Sequence, residues 1–165
     1  MSITELAPAK LNLTLDVGAR RPDGYHEITS VMQSAALYDV VTLETVETDD
    51  IVVECPGTDL PTGPDNLAWK AADVFFQETN IPRTGIIIRL EKKIPSQAGL
   101  GGGSSDAASV LRGMRRLFGA NVSDEALETM AARVGSDVPY CVRGGTALAR
   151  GRGERLTALS PLPMC

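Results

Sequence analysis

The stretch Lys92-Lys93-Ile94-Pro95-Ser96-Gln97-Ala98-Gly99-Leu100-Gly101-Gly102-Gly103-Ser104-Ser105-Asp106-Ala107-Ala108 lies between a β-branched run at residues 86–90 and a segment with helical apolar spacing. Four glycines in five positions free the backbone to take positive φ and let its N–H groups come close to a ligand. A helix that starts here aims its unsatisfied N–H groups and positive dipole end at the same space. Ser104 and Ser105 are placed either to cap that helix or to offer hydroxyls to phosphate oxygens. Strand, glycines, hydroxyls and helix start together read as a phosphate cradle. The run lacks the Gly-Lys-[Ser/Thr] ending of a Walker A loop. Ser104 stands where a dinucleotide fingerprint needs its third glycine. The plainer alternative is a flexible loop before a capped helix. Asp106 has two readings, a macrodipole partner or a magnesium contact.

Beyond the loop, the run Ala107, Val110, Leu111, Met114 and Leu117 predicts a helix opening at Ser104 or Ser105 and stopping at Gly119. Its arginines 112, 115 and 116 fall on the polar side and are expected to be solvated. A helix before it begins after Pro64, with Asp65 as N-cap and Leu67, Ala71, Val74 and Phe75 on one face. A later helix starts at Ser123, with Asp124 and Glu125 in the first turn. Toward the N-terminus, Leu11, Leu13, Leu15 and Val17 alternate with polar residues, the pattern of a half-buried strand. On that pattern Asn12 projects from the face opposite the leucines, on the same side as Lys10. Pro22-Asp23-Gly24 is turn chemistry. Further strands are expected at residues 28–32, 40–46, 51–55 and 86–90. Strands cluster early and helices late, without βαβ alternation. The expected class is α+β, a mostly antiparallel or mixed sheet with helices packed on one face.

The 165 residues suit one domain, and 43% apolar with 22% charged residues is globular composition. The net charge of −5 argues against a nucleic-acid binder, while leaving room for a locally positive cleft that takes a small anion. Cys55, Cys141 and Cys165 are widely spaced and His26 is the lone histidine, so neither a disulfide framework nor a zinc site is expected and the metal-ligand set is empty. Residues 1–6 lack the charged and apolar regions of a signal peptide, and no apolar run approaches bilayer length, so a cytoplasmic location away from membranes is expected.

Three separated segments resemble one family. Pro95 through Ala108, with Gly99-Leu100-Gly101-Gly102-Gly103-Ser104-Ser105, resembles the second signature of the GHMP kinase superfamily. Pro8-Ala9-Lys10-Leu11-Asn12-Leu13 resembles its first. Arg21-Pro22-Asp23-Gly24-Tyr25-His26-Glu27 narrows the resemblance to the branch that acts on a cytidine-diphosphate-linked methylerythritol. The match runs from about Lys10 to Gly153 in the family's order.

The resemblance implies the ribosomal protein S5 domain 2-like fold, ATP and Mg2+ as cofactors, and a small-molecule alcohol as substrate. It implies Asp137 as catalytic base with Lys10 as its partner, a cation that keeps the carboxylate ionised and stabilises the attacking oxygen. Asn12 is then expected beside the substrate, with Tyr25 stacking on the cytosine and His26 bonding its edge. Pro95, Gly99 to Ser105, Asn66 and Lys92 are expected to hold the nucleotide. Residues 1–157 are expected to form the N-terminal kinase domain, and residues 158–165 the start of a linker to a second domain carrying the third signature. On this expectation the chain is incomplete and of reduced activity alone. Two alternatives stand beside it: a GHMP kinase for another alcohol, which has no need of Tyr25 and His26, and a non-catalytic nucleotide-binding fragment.

Overall fold

The computed structural model describes residues 1–160; Cys165 and positions 161–165 of the expected linker lie outside the described residues. The chain opens with two long strands, β1 (Ser2–Arg20) and β2 (His26–Val46), paired antiparallel. The turn between them forms where Pro22-Asp23-Gly24 predicts it. Gly24 has φ +87°, its N–H bonds the Arg21 carbonyl at 3.0 Å, and the Asp23 carboxylate accepts the Tyr25 N–H at 3.1 Å. β1 begins nine residues before the leucine alternation that announced it. Pro8 is tolerated there because β1 pairs only with β2 and its register shifts between Pro8 and Ala9.

β2 organises the sheet. Its other edge is shared by two strands: β4 (Gly85–Glu91) pairs with positions 40–46 and β5 (Thr146–Gly151) with positions 28–33. β3 (Ile51–Glu54) lies parallel to β4, and β6 (Arg155–Ala158) antiparallel to β5. The sheet is therefore mixed and mostly antiparallel, as expected. Between the two pairing segments, positions 34–39 of β2 leave a gap in the sheet edge, where Asp39 accepts from the Lys93 and Ile94 N–H groups and Ser34 bonds Gly145 and Tyr140.

Among the described residues there are four helices: α1 (Leu67–Glu78), α2 (Gly102–Leu117), α3 (Asp124–Val134) and the short α4 (Val138–Arg143). Phe75, Val110, Leu111, Met114 and Leu127 from the helices close over Val41, Leu43, Ile86, Ile88 and Leu90 from the sheet, all fully buried. The opposite sheet face is polar at this end, where exposed Arg89 pairs with Glu44 at 2.6 Å and Glu54 at 2.8 Å.

Several local expectations are corrected. Asn66 rather than Asp65 caps α1, its side-chain oxygen accepting the Ala68 N–H at 2.8 Å. α2 starts at Gly102 after a left-handed Gly101, so neither Ser104 nor Ser105 caps it. Two of its arginines are tied down, Arg112 donating to the Cys141 and Leu6 carbonyls and Arg115 pairing with Asp124, while Arg116 is exposed as expected and pairs with Glu5. Leu11, Leu13, Leu15 and Val17 are 39–56% exposed, whereas Lys10 on the other face is buried. The alternation marks a strand, but its apolar face is the exposed one; on the polar face Lys10 and Asn12 are covered while Thr14 and Asp16 are exposed. α4, β5 and β6 were not anticipated, because short or alanine-rich segments carry little local signal and here form through distant partners.

Candidate functional site

Lys10 and the glycine loop are joined by backbone. The Lys10 N–H donates to the Leu100 carbonyl at 2.9 Å, stitching the loop to the middle of β1. Gly101, at φ +67°, rides directly over the Lys10 side chain; a Cβ there would lie 2.6 Å from the Lys10 Cγ. Beneath this contact the Lys10 ammonium lies 2.9 Å from Asp137 and donates to the Asn12 side-chain oxygen at 2.6 Å. Asn12 donates to the Ser30 hydroxyl at 2.7 Å, which donates to the Thr14 carbonyl at 2.6 Å. Lys10 and Asn12 thus share a face, as the strand period predicts. A buried lysine needs such partners to keep its charge. Asp137, its side chain 31% exposed, is the solvent-reaching member of the pair. It stands just before α4, and Tyr140 of that helix donates to the Gly145 carbonyl at 2.7 Å, seating α4 beside the gap in the sheet.

The loop lines a cleft of about 340 Å³ with Leu60, Leu67, Lys92, Ile94 and the segment from Pro95 to Ser104. Gln97, Gly99 and Gly101 all have positive φ, which curls the backbone around this space. Of the expected nucleotide contacts, Pro95, Gly99, Leu100, Gly101, Gly102, Gly103, Ser104 and Lys92 are brought together here. Ser105 is fully buried beneath the loop. Asn66 is engaged elsewhere, capping α1 and donating to the Pro61 carbonyl at 2.7 Å, while its neighbour Leu67 reaches the cleft.

Lys92 has a further attachment that local pattern does not show. Its ammonium is gripped by Asp39 of β2 and lies 2.5 Å from Asp106 of α2. Asp39 is fully buried in the sheet gap, and its second oxygen accepts the N–H groups of Lys93 at 2.5 Å and Ile94 at 2.8 Å. Burial opposes the charge of Lys92, but Asp106 and Asp39 together hold it above the ordinary lysine range. Burial also pushes Asp106 up to about 7, with Lys92 pulling against it. Asp106 is buried against Lys92 rather than presented at the cleft surface. Burial pushes the Cys141 thiol up to about 12, leaving it unreactive.

Tyr25 and His26 lie exposed at the turn end of the β1–β2 pair. The turn between β5 and β6 links this end to Asp137. The Arg152 guanidinium stacks over the Tyr25 ring at 5.0 Å, and a Cβ on Gly153 would lie 3.7 Å from an Asp137 oxygen. Arg152, Asp39 and Ser30 are the site-related residues that sequence reasoning missed. Each gains its place through partners far away in the chain.

An α+β layer with a glycine loop at a helix start, beside a Lys–Asp pair whose aspartate reaches solvent, is the arrangement the resemblance to GHMP kinases implies. Residues 66–145 match the family described as GHMP kinases N terminal domain. Over nearly its full length the sequence is similar to 4-diphosphocytidyl-2-C-methyl-D-erythritol kinases. It is 46% identical to that of Caldicellulosiruptor saccharolyticus over 157 residues, covering 95% of this chain and 54% of the relative. It is 48% identical to that of Pelotomaculum thermopropionicum over 163 residues, covering 99% and 56%. A crystal structure of 4-(cytidine 5'-diphospho)-2C-methyl-D-erythritol kinase superposes with a TM-score of 0.81 at 42% identity, covering 98% of this chain and 56% of that one. Mevalonate kinase, at TM-score 0.75 and 15% identity, shares the fold. The chain spans about half the length of the curated relatives it matches.

Proposed function

We propose that this chain supplies the nucleotide cradle and the Lys10–Asp137 pair of a kinase that moves the γ-phosphoryl group of ATP to the 2-hydroxyl of 4-diphosphocytidyl-2-C-methyl-D-erythritol. The observation that carries the reading is the convergence of loop and pair: the Leu100 carbonyl bonds the backbone of the lysine whose ammonium lies 2.9 Å from Asp137. Asp137 accepts the hydroxyl proton, and Lys10 keeps the carboxylate oriented and offsets charge growing on the attacking oxygen. Backbone N–H groups of the loop and the start of α2 receive the phosphates. ATP enters as its magnesium complex, with the ion carried on the phosphates as part of the substrate. Asn12 positions the alcohol from the same strand face as Lys10. Tyr25 and His26 take the cytosine, with Arg152 backing the tyrosine ring.

The test is substrate-dependent ADP release by this chain joined to the C-terminal half of the Caldicellulosiruptor saccharolyticus relative. Asp137→Ala is expected to lower turnover by roughly a hundredfold or more, the usual scale for loss of a general base. ADP release that ignores the cytidine substrate points to another alcohol. Unchanged turnover in the variant removes Asp137 from the chemistry. A competing cytidine nucleotide is expected to displace the substrate from the wild type and to lose that ability in Tyr25→Ala.

A further inference from the structure

Two buried carboxylates, Asp39 and Asp106, share one ammonium, Lys92, directly below the glycine loop. With both carboxylates ionised, the cluster carries one more negative than positive charge in a region almost closed to water. Only one Asp106 oxygen meets Lys92. Among the described residues, the buried side-chain oxygens without a hydrogen-bond partner are the other Asp106 oxygen, Oδ1, and the Ser105 hydroxyl beside it. Both stand in the first turns of α2, the helix whose N-terminus faces the cleft. The cluster touches the loop itself, since a Cβ on Gly102 would lie 3.3 Å from the Lys92 ammonium.

We propose that phosphate binding at the glycine loop is coupled to uptake of a proton by Asp106. The proposal rests on the nucleotide reading above. A nucleotide phosphate brought against Gly102 adds negative charge a few ångströms from a cluster that already has an excess of it. In a low-dielectric region that repulsion is strong. The excess is removed when one solvent proton adds to the unpartnered Oδ1 of Asp106, leaving Lys92 balanced by Asp39 alone. Asp39 cannot take that role as readily, because its oxygens already accept from Lys92, Lys93 and Ile94.

The other charged groups around Asp106 come from several elements. Lys92 follows β4 and Asp39 lies on β2. Cys141 of α4 senses the Asp106 charge but stays a neutral thiol. Lys10 of β1 and Asp137, on the far side of Gly101, neutralise each other, and Arg112 of α2 is paired with Glu5. In the free chain Asp106 is poised for this role, since burial already places it at about 7.

Calorimetric titration of the chain with ADP at pH 7.5, in buffers of different ionisation enthalpy, reads the coupling directly. Uptake of a measurable fraction of a proton, up to about one, is expected. Affinity is expected to weaken by up to about tenfold per pH unit above neutrality. The terminal phosphate of ADP titrates near pH 6 itself, so Asp106→Asn is the reference: its buffer-dependent heat should fall to that phosphate contribution. Carboxyl carbon-13 titration of the wild type needs no variant. A midpoint for Asp106 near 7 that moves up with ADP supports the coupling, and a midpoint near 4 overturns it. Binding with the same proton balance in wild type and variant also overturns the coupling while leaving the nucleotide reading intact. No binding of ADP in any buffer overturns both.

Discussion

Gly101 shows how much of this site depends on one missing methyl group. Its φ of +67° is unfavourable for any L side chain, and the space a Cβ needs is filled by the Lys10 stem. Gly101→Ala is therefore expected to lower stability by about 1–2 kcal/mol in urea denaturation. It should also displace the Lys10 ammonium from its 2.9 Å contact with Asp137, visible as a broken pair in a crystal structure of the variant. Lys10, Asp137 and the glycines were legible as residue types in motifs. Their contact was not, because residues 10, 101 and 137 meet only through the fold. Lys92 is the opposite lesson. As a strand-end lysine near a phosphate loop it reads as a ligand contact, yet its ammonium is held by Asp39 and Asp106, neither of which the local pattern nominates.

Helix α2 joins the loop to the core. Its C-terminal stop was readable: Gly119 takes φ +58°, its N–H bonds the Arg116 carbonyl, and the Ala120 N–H bonds the Arg115 carbonyl at 2.9 Å. Its start was not, because Gly101 ends the loop by backbone conformation alone, without a capping side chain to read. In its middle, Gly113 lets the helix approach the sheet; a Cβ there would lie 2.6 Å from the Leu43 Cδ1 and 3.3 Å from the Glu5 Cγ. Alanine is the better helix former by about 1 kcal/mol, but overpacking a tight contact costs typically 1–3 kcal/mol. Gly113→Ala is expected to be the less stable protein, by about 1 kcal/mol, in a thermal or urea melt. Strand β1 carries the other element-level correction. Its period of two is real, but period alone does not say which face is covered. At Lys10 and Asn12 the covered face holds the Lys10–Asn12–Ser30 chain of hydrogen bonds, and from Leu13 to Val17 both faces are exposed.

Across the domain, the buried Asp39–Lys92–Asp106 cluster ties β2, the exit of β4 and α2 together, so its protonation bears on global stability. Asp106 stands near 3.8 in an unfolded chain and at about 7 in the fold. The folded state therefore binds more protons between these values, and stability falls as pH rises through that window. The contribution is fully present below about pH 4 and lost above about pH 7. Urea midpoints measured from pH 5 to pH 8 are expected to decline in the wild type and to decline less in Asp106→Asn. An equal slope in both proteins would assign the pH dependence to other groups.

The chain's local chemistry was enough to establish the α+β class, the glycine loop before a helix start, the turn at Pro22-Asp23-Gly24, the Ser123 cap of α3 and the shared face of Lys10 and Asn12. These depend on backbone preference and short-range periodicity, which neighbouring residues carry between them. Long-range packing settled the rest: the split edge of β2, the outward leucines, the pairing of Lys10 with Asp137, and the burial of Asp39 and Asp106 around Lys92. Each of those joins segments tens of residues apart, where desolvation and charge balance, rather than local propensity, select the partner.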